Sequence, residues 1–207
     1  MKPTLIVMAK TPKLGLAKRR LAAEIGDGAA WRFYRICLET TLRRLSRDPR
    51  WRLVLAVTPD ADCGNAVWQR LAARFGAALK PQGKGDLGKR MQQLLAEQPR
   101  RSVLIGSDIP GIRPGHIAQA FDKLARADAV FGPAQDGGFW LVGIKRPNRR
   151  RPFDNVRWSS RYALTDTLEN FRGCQVAFAA ELADVDTAAA HRQMRRWAER
   201  LIPPRHL

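Results

Sequence analysis

Three acidic residues of this chain stand at the ends of apolar runs, where a carboxylate needs a physical reason to be present. Asp108 follows the run SVLIG in the segment GSDIPG, and Asp186 follows CQVAFA in the segment ELADVDT. Asp136 lies between the runs AVFG and FWLVG, next to Gly137 and Gly138. A carboxylate at such a position is costly unless it pairs with a cation or binds a ligand. Asp108 could form a salt bridge with an arginine or bind a divalent cation that holds phosphate oxygens, and Asp186 could equally cap a final helix.

Cations and glycines follow two other apolar runs. The segment KTPKLGLAKRRL contains Lys10, Gly15, Lys18 and Arg19, but it lacks the glycine spacing of a P-loop. Backbone N–H groups at a helix start, with cations beside them, can bind an anion, and cations in a first turn otherwise oppose the helix dipole. The segment PQGKGDLGKRM could bring its backbone close to a ligand or form an ordinary mobile turn. Its candidate binding residues are Gly83, Gly85, Asp86 and Gly88.

Buried strands must position these groups. Apolar runs at residues 4–9, 52–57 and 102–106 are typical of strands that are covered on both faces, and amphipathic helical segments separate them. This alternation predicts a single α/β domain over residues 1–207, with a mostly parallel central sheet and helices on both faces. Ligands of such sheets bind beyond the carboxyl ends of the strands, so the acids and the cations should meet at one edge. Acids that hold a metal, together with lysines and backbone N–H groups that bind phosphate, form a nucleotide–metal site.

The charge of the chain is strongly positive. It contains 37 basic and 19 acidic residues, a formal net charge of +18, which makes nucleic acid, anionic membranes and phosphorylated small molecules plausible partners. The basic residues are spread along the whole chain, which favours solvated helix faces over a nucleic-acid interface. Nucleic-acid binding also gives no reason for acids at strand ends. A nucleotide is therefore the preferred partner.

The remaining composition indicates a protein of the cytoplasm. No apolar run reaches the roughly 18 residues that a membrane-spanning helix needs, and the short run LIVMA is too short for a signal peptide. The three cysteines lie far apart and lack a C-x-x-C pattern, so they are expected to be reduced thiols. The sequence leaves the oligomeric state open.

Taken together, the motifs resemble a known superfamily. The segments KTPKLGLAKRRL, PQGKGDLGKRM, GSDIPG, GPAQDGGFWLVG, VRWSS and DVDT follow the order seen in nucleotide-diphospho-sugar transferases. More narrowly, they resemble a bacterial branch of uncharacterised glycosyltransferase-like proteins, called arsenosugar-biosynthesis-type glycosyltransferases. The resemblance covers nearly the whole chain. It implies a GT-A fold, in which a Rossmann-like half binds the nucleotide and the later half shapes the acceptor site.

The resemblance also implies roles for the candidate residues. Phosphate contacts would come from Lys10, Gly15, Lys18 and Arg19, although Arg19 stands where the family usually has threonine. Contacts to the base or ribose would come from Gly83, Gly85, Asp86 and Gly88. A Mg²⁺ or Mn²⁺ ion would be held by Asp108 and Asp186, with Asp184 as the rival second ligand. The sugar or acceptor pocket would be lined by Asp136, Gly137, Gly138, Trp158 and Ser159.

Two enzymatic reactions and one binding function are consistent with this sequence. A metal-dependent glycosyltransferase would transfer a sugar from a nucleotide-diphospho-sugar to a small-molecule acceptor, with Asp136 as the catalytic base. A nucleotidyltransferase of the guanylyltransferase kind would join a nucleoside triphosphate to a small phosphorylated substrate, with Lys18 stabilising the charge on the transferred group. A basic nucleic-acid-binding domain is the alternative outside the enzymes.

Overall fold

Seven strands in the described part of the chain form one sheet. The computed structural model describes residues 2–14, 18–145, 151–183, 185 and 187–192 of the chain. The strands are β1 (Thr4–Lys10), β2 (Arg52–Thr58), β3 (Ala78–Pro81), β4 (Ser102–Gly106), β5 (Ala129–Pro133), β6 (Phe139–Ile144) and β7 (Val176–Phe178). Their order across the sheet is β3-β2-β1-β4-β6-β5-β7.

The direction of the strands agrees with the predicted, mostly parallel sheet. Strands β1 to β4 pair in parallel, and β7 pairs in parallel with β5. Of the seven strands, only β6 is reversed, and it pairs antiparallel with both β4 and β5. The end of β4 and the start of β6 therefore lie at the same edge of the sheet.

Helices cover the sheet on both faces, as predicted. They are α1 (Arg19–Ile25), α2 (Asp27–Leu45), α3 (Ala66–Arg74), α4 (Leu87–Ala96), α5 (Pro114–Arg126) and α6 (Ala163–Glu169). Successive residues of a strand point to opposite faces. Leu55 and Ile105 accordingly join a core cluster with α2, α3 and α5, whereas Ile6 and Leu104 join a second cluster with α4 and α6.

One predicted helix is shorter in the structure. The sequence predicts a helix over residues 159–171, but α6 begins only at Ala163, after a series of turns. Ser159 has a φ of 58°, in the left-handed region that a right-handed helix cannot include. The turns leave Trp158 and Ser159 to form part of a wall instead of a helix.

These observations confirm an α/β domain with a mostly parallel sheet. The expectation that the domain spans residues 1–207 stays a prediction, because residues 193–207 lie outside the described residues. No helix in the described ranges is both long enough and apolar enough to cross a membrane.

Candidate active site

A cleft with a volume of about 380 Å³ opens where β4 ends and β6 begins. Five residues predicted from the sequence line it together: Asp108, Asp136, Gly138, Trp158 and Ser159. The floor and walls are mainly apolar and include Met8, Leu87, Met91, Leu104, Ile109, Phe139, Trp140 and Val142. The cleft thus collects acids from the ends of two neighbouring strands.

Asp108 forms an ion pair with Lys18. Lys18 Nζ lies 2.8 Å from Asp108 Oδ2, and the exposed fractions of the two side chains are 6% for lysine and 37% for aspartate. Lys18 is the residue before α1, and its φ of 52° places it in the left-handed region. The structure therefore satisfies Asp108 with a lysine, where the sequence suggested an arginine or a metal. It also joins the predicted phosphate-binding cation to the predicted metal ligand.

A buried hydroxyl links the ends of β1 and β4 beside this ion pair. The backbone N–H of Lys10 donates to Tyr34 Oη at 2.8 Å, and Tyr34 Oη lies 3.0 Å from Ser107 Oγ. Tyr34 and Ser107 are 5% and 4% exposed, and burial raises the pKa of Tyr34 to about 12. These contacts hold the backbone next to Asp108. Sequence reasoning missed them, although a tyrosine on the apolar face of a helix signals that its hydroxyl needs a buried partner.

Asp136 lies in the tight turn that joins β5 to β6. Its Oδ1 accepts a hydrogen bond from Gly138 N at 2.9 Å, and Gly137 N donates to Ala134 O at 3.1 Å. Gly137 has a φ of 83°, and a Cβ there would overlap the backbone of Arg161. Gly138 lines the cleft, whereas the missing side chain of Gly137 makes room for the protein itself.

An ion pair holds the opposite wall, which contains Trp158 and Ser159. Arg157 Nε and Nη2 donate to the two carboxylate oxygens of Asp166 at 2.9 and 2.8 Å, and Arg157 N donates to the same group at 3.0 Å. Hydrogen bonds from Arg157 lower the pKa of Asp166 to about 2. The Trp158 ring packs edge-on against Phe139, with 6.1 Å between ring centroids.

The segment before α4 is ordered by its own contacts. Asp86 caps α4, since its Oδ1 accepts from Lys89 N at 2.8 Å, and Gly83 N donates to Asp60 Oδ1 at 3.1 Å. Gly88 is buried, and a Cβ there would overlap Phe153 and Trp158.

Part of the predicted phosphate and metal set cannot be placed. Gly15, Asp184 and Asp186 lie outside the described residues. Lys10 and Arg19 are exposed. Within the described ranges, no cluster of three or more histidine, cysteine, aspartate or glutamate side chains could hold a metal ion. The nucleotide contacts predicted for Lys10, Gly15, Lys18, Arg19, Gly83, Gly85, Asp86 and Gly88 stay predictions, as does the metal pair.

The chain is similar to a solved transferase structure. A candidate nucleotide-diphospho-sugar transferase from Desulfovibrio desulfuricans G20 shares 26% sequence identity and a TM-score of 0.84, covering 96% of this chain and 89% of that one. This likeness supports the superfamily predicted from the sequence and a place in the transferase class of enzymes.

More distant structures share the fold alone. The 4-diphosphocytidyl-2C-methyl-D-erythritol synthase of Anaerococcus prevotii DSM 20548 has a TM-score of 0.63 at 10% identity, covering 96% of this chain and 98% of that one. Glucosyl-3-phosphoglycerate synthase of Mycobacterium tuberculosis, solved with Mn²⁺, uridine diphosphate and glucosyl-3-phosphoglycerate, has a TM-score of 0.56 at 12% identity, covering 99% and 81%. Their shared architecture agrees with the predicted GT-A fold.

Sequence comparison identifies the family. No curated protein matches the chain. A family model described as uncharacterized protein conserved in bacteria (DUF2064) matches residues 41–160, which are more than half of the chain. The chain therefore belongs to the DUF2064 family.

Proposed function

We propose that this chain is a metal-dependent glycosyltransferase that takes a sugar from a nucleotide-diphospho-sugar and transfers it to a small-molecule acceptor. One observation carries the proposal: a single cleft at the sheet edge is lined by Asp108, which is paired with Lys18, and by Asp136. The likeness to the Desulfovibrio transferase supports the same donor class.

In this proposal, Asp108 would offer a carboxylate oxygen to a Mg²⁺ or Mn²⁺ ion. Asp108 is partly exposed at the cleft, so its carboxylate remains accessible as an oxygen ligand. These hard cations prefer oxygen ligands, and Mg²⁺ in particular is usually held by one or two carboxylates together with substrate phosphates and water. Asp108 and Asp186 would hold the ion, which would neutralise the charge of the diphosphate.

The chain's own residues would carry the rest of the reaction. Lys18, with Lys10, Gly15 and Arg19, would bind the diphosphate and stabilise it as it leaves. Asp136 would accept the proton of the acceptor hydroxyl as that oxygen bonds to the sugar carbon and the bond from sugar to diphosphate breaks. Gly138, Trp158 and Ser159 would orient the sugar or acceptor, and Gly137 would hold the turn that carries Asp136.

The Lys18–Asp108 pair also supports a second candidate, a nucleotidyltransferase. A buried ammonium beside a carboxylate at the sheet edge can stabilise charge on an α-phosphoryl group as well as on a leaving diphosphate. In that reaction an oxygen of a phosphorylated substrate would attack the α-phosphorus, and pyrophosphate would leave. Asp136 would then not be needed as a base.

A thermal-shift panel separates the two candidates. The panel contains nucleoside diphosphates, triphosphates and nucleotide sugars, each with and without Mg²⁺ or Mn²⁺. Stabilisation by nucleotide sugars supports the glycosyltransferase, and stabilisation by triphosphates alone supports the nucleotidyltransferase. A melting temperature that no nucleotide raises would contradict both.

Replacing the acid next to Lys18 tests the proposed metal site directly. Asp108→Asn keeps the size of the side chain but removes its charge, so the metal-dependent part of the nucleotide stabilisation should be lost. A ligand at one hundred times its Kd stabilises a protein by about 2.7 kcal/mol, which a thermal shift detects easily. Asp122→Asn, at an exposed position on α5, is the matched control and should retain the effect. If Asp108→Asn retains it too, the metal assignment is wrong.

A further inference from the structure

The cleft has an unusual composition for a chain of this charge. Its lining in the described chain contains two carboxylates, Asp108 and Asp136, two serines, Ser159 and Ser160, and otherwise glycine and apolar side chains. No lysine or arginine of the described ranges lines it, although the formal net charge is +18. The positive charge of the described residues is therefore not directed into this cleft.

Three cations next to lining residues of the cleft, Arg157, Arg161 and Lys18, are held by other groups. Arg157 is bound at both ends of its guanidinium by Asp166, and Arg161 Nη2 donates to Tyr162 Oη at 2.8 Å. Lys18 is engaged at Asp108. These contacts compete with any interaction between the guanidinium groups and a substrate in the cleft.

This arrangement penalises a substrate group that carries negative charge. Beside Asp136, a phosphate or carboxylate would lose water, would have no cation of the described lining next to it, and would face a carboxylate of the same charge. A positively charged group would gain little binding energy from Asp108, because Lys18 already neutralises that carboxylate. Only the charge of Asp136 would then attract it.

An uncharged ring with hydroxyl groups matches both the polar and the apolar side chains that line the cleft. Within this turn, the Asp136 carboxylate accepts a hydrogen bond from Gly138 N at Oδ1. Hydroxyl groups of a bound ring can therefore donate to the other oxygen, Oδ2. Ser159 and Ser160 add hydroxyls of their own to the lining. The apolar face of a sugar ring packs well on aromatic side chains such as Trp158. A volume of about 380 Å³ is at the small end of the usual range for small-molecule sites, roughly 300–1,000 Å³.

We propose that this cleft selects an uncharged, hydroxyl-bearing sugar or acceptor group and rejects phosphorylated and acidic ones. The proposal rests on the proposed transferase function and extends it to the substrate class. It concerns the group at the end of the cleft that contains Asp136, Trp158 and Ser159, whereas the nucleotide diphosphate would bind at the end that contains Asp108 and Lys18.

Four probes that share one ring and differ in charge test the proposal. Glucose, glucosamine, glucuronate and glucose 6-phosphate are titrated into the full chain labelled with 5-fluorotryptophan, in EDTA so that no divalent cation can hold the phosphate. The Trp158 resonance is assigned from its loss in Trp158→Phe. We expect glucose to shift this resonance with an affinity at least about tenfold higher than that of glucuronate or glucose 6-phosphate. Equal or tighter binding of an anion, tighter binding of glucosamine, or no shift with any probe would overturn the proposal.

A charge placed at the cleft gives an independent test. Leu87 lines the cleft and is 44% exposed, so Leu87→Lys should be tolerated and should raise the affinity for glucose 6-phosphate by about tenfold. Leu87→Gln is the uncharged control. Val67→Lys, on α3 at a residue that is 61% exposed, adds the same charge outside the cleft and should leave the preference unchanged. If Val67→Lys raises phosphate affinity as much as Leu87→Lys does, the selection comes from overall charge and the proposal fails.

The sugar titrations test the selection of uncharged groups, and the nucleotide panel tests the transferase function. Either claim can be contradicted without the other. If nucleotides stabilise the chain but the charged probes bind as well as glucose, the transferase function stands and the selection of uncharged groups falls. If glucose is preferred but no nucleotide binds, the selection stands as a property of the cleft and the transferase function falls.

Discussion

At the scale of single residues, two acids line one cleft but are held there by different contacts. Asp108 follows a parallel strand and is held by the ammonium of Lys18, whereas Asp136 sits in a hairpin turn and is held by a backbone N–H. In that turn the glycine at 137 must meet two demands at once. Its backbone is in the left-handed region, and the space where a side chain would lie is filled by the backbone of Arg161.

Gly137→Ala should therefore be among the most destabilising substitutions of a glycine in this chain. Left-handed backbone alone costs an alanine about 1 kcal/mol, and overlap with a rigid backbone should raise the loss to about 3 kcal/mol or more. Gly173→Ala is the matched control, because Gly173 has a φ of 74° but a Cβ added there would meet no atom within 4 Å. The free energy of unfolding in urea measures both losses. Equal losses would show that Arg161 moves away freely.

At the scale of helices and strands, α2 links the ends of two strands of the site through hydrogen bonds. Tyr34 extends from α2 to the backbone at the end of β1 and to Ser107 after β4. Because these two strand ends carry Lys10 and precede Asp108, a single hydroxyl fixes their relative position.

Tyr34→Phe should lower the free energy of unfolding at pH 8 by about 1–3 kcal/mol, since it leaves the N–H of Lys10 without its hydroxyl acceptor. The pKa of the tyrosine is about 12 in the folded chain and near its ordinary value of 10.0 when the chain is unfolded. The wild type should therefore lose stability as the pH rises from 10 to 12, whereas the phenylalanine variant has no such group to lose. Urea unfolding at several pH values measures both proteins. The difference between them should narrow above about pH 10, and a constant difference would contradict a raised pKa.

Elements could be predicted from the sequence more reliably than contacts between them. Strand β4 is a continuous apolar run, so burial on both faces reveals it without any knowledge of its neighbours. The same rule conceals the direction of β6, because a fully buried strand has the same apolar pattern whether it runs parallel or antiparallel. The pairing of Lys18 with Asp108 was also hidden, since 90 positions separate the two and the chain offers many other cations.

Two residues of the glycine-rich motif have structural roles that the sequence did not reveal. Asp86 and Gly88 belong to a glycine-rich segment that suggested ligand contacts. In the structure Asp86 caps α4, and Gly88 makes room for Phe153 and Trp158. Capping and close packing use the same residue types as ligand binding, so the sequence pattern cannot separate these roles.

The whole molecule carries a large positive charge, and the described lining of its candidate site does not. A general affinity for polyanions follows from a net charge of +18, independently of any nucleotide site.

Binding of DNA or RNA should fall steeply between about 50 and 200 mM salt and should be unchanged by Asp108→Asn. Metal-dependent binding of a nucleotide should show the opposite pattern, with a weak dependence on salt and a strong dependence on Asp108. Fluorescence anisotropy of a labelled oligonucleotide and the thermal shift with a nucleotide, each measured over the same salt series, test the two patterns. An oligonucleotide affinity that Asp108→Asn abolishes would mean that the cleft itself binds nucleic acid.

The reversed strand β6 has a consequence for engineering. Strand β6 is hydrogen-bonded on both sides, by β4 and by β5. The sheet therefore fixes both ends of the turn that precedes β6, so residues within this turn can be replaced. A library that randomises Ala134 and Gln135 while keeping Asp136, Gly137 and Gly138 would vary one wall of the cleft without disturbing the strand ends near Lys10 and Asp108. Acceptor preference and donor binding could then be evolved separately.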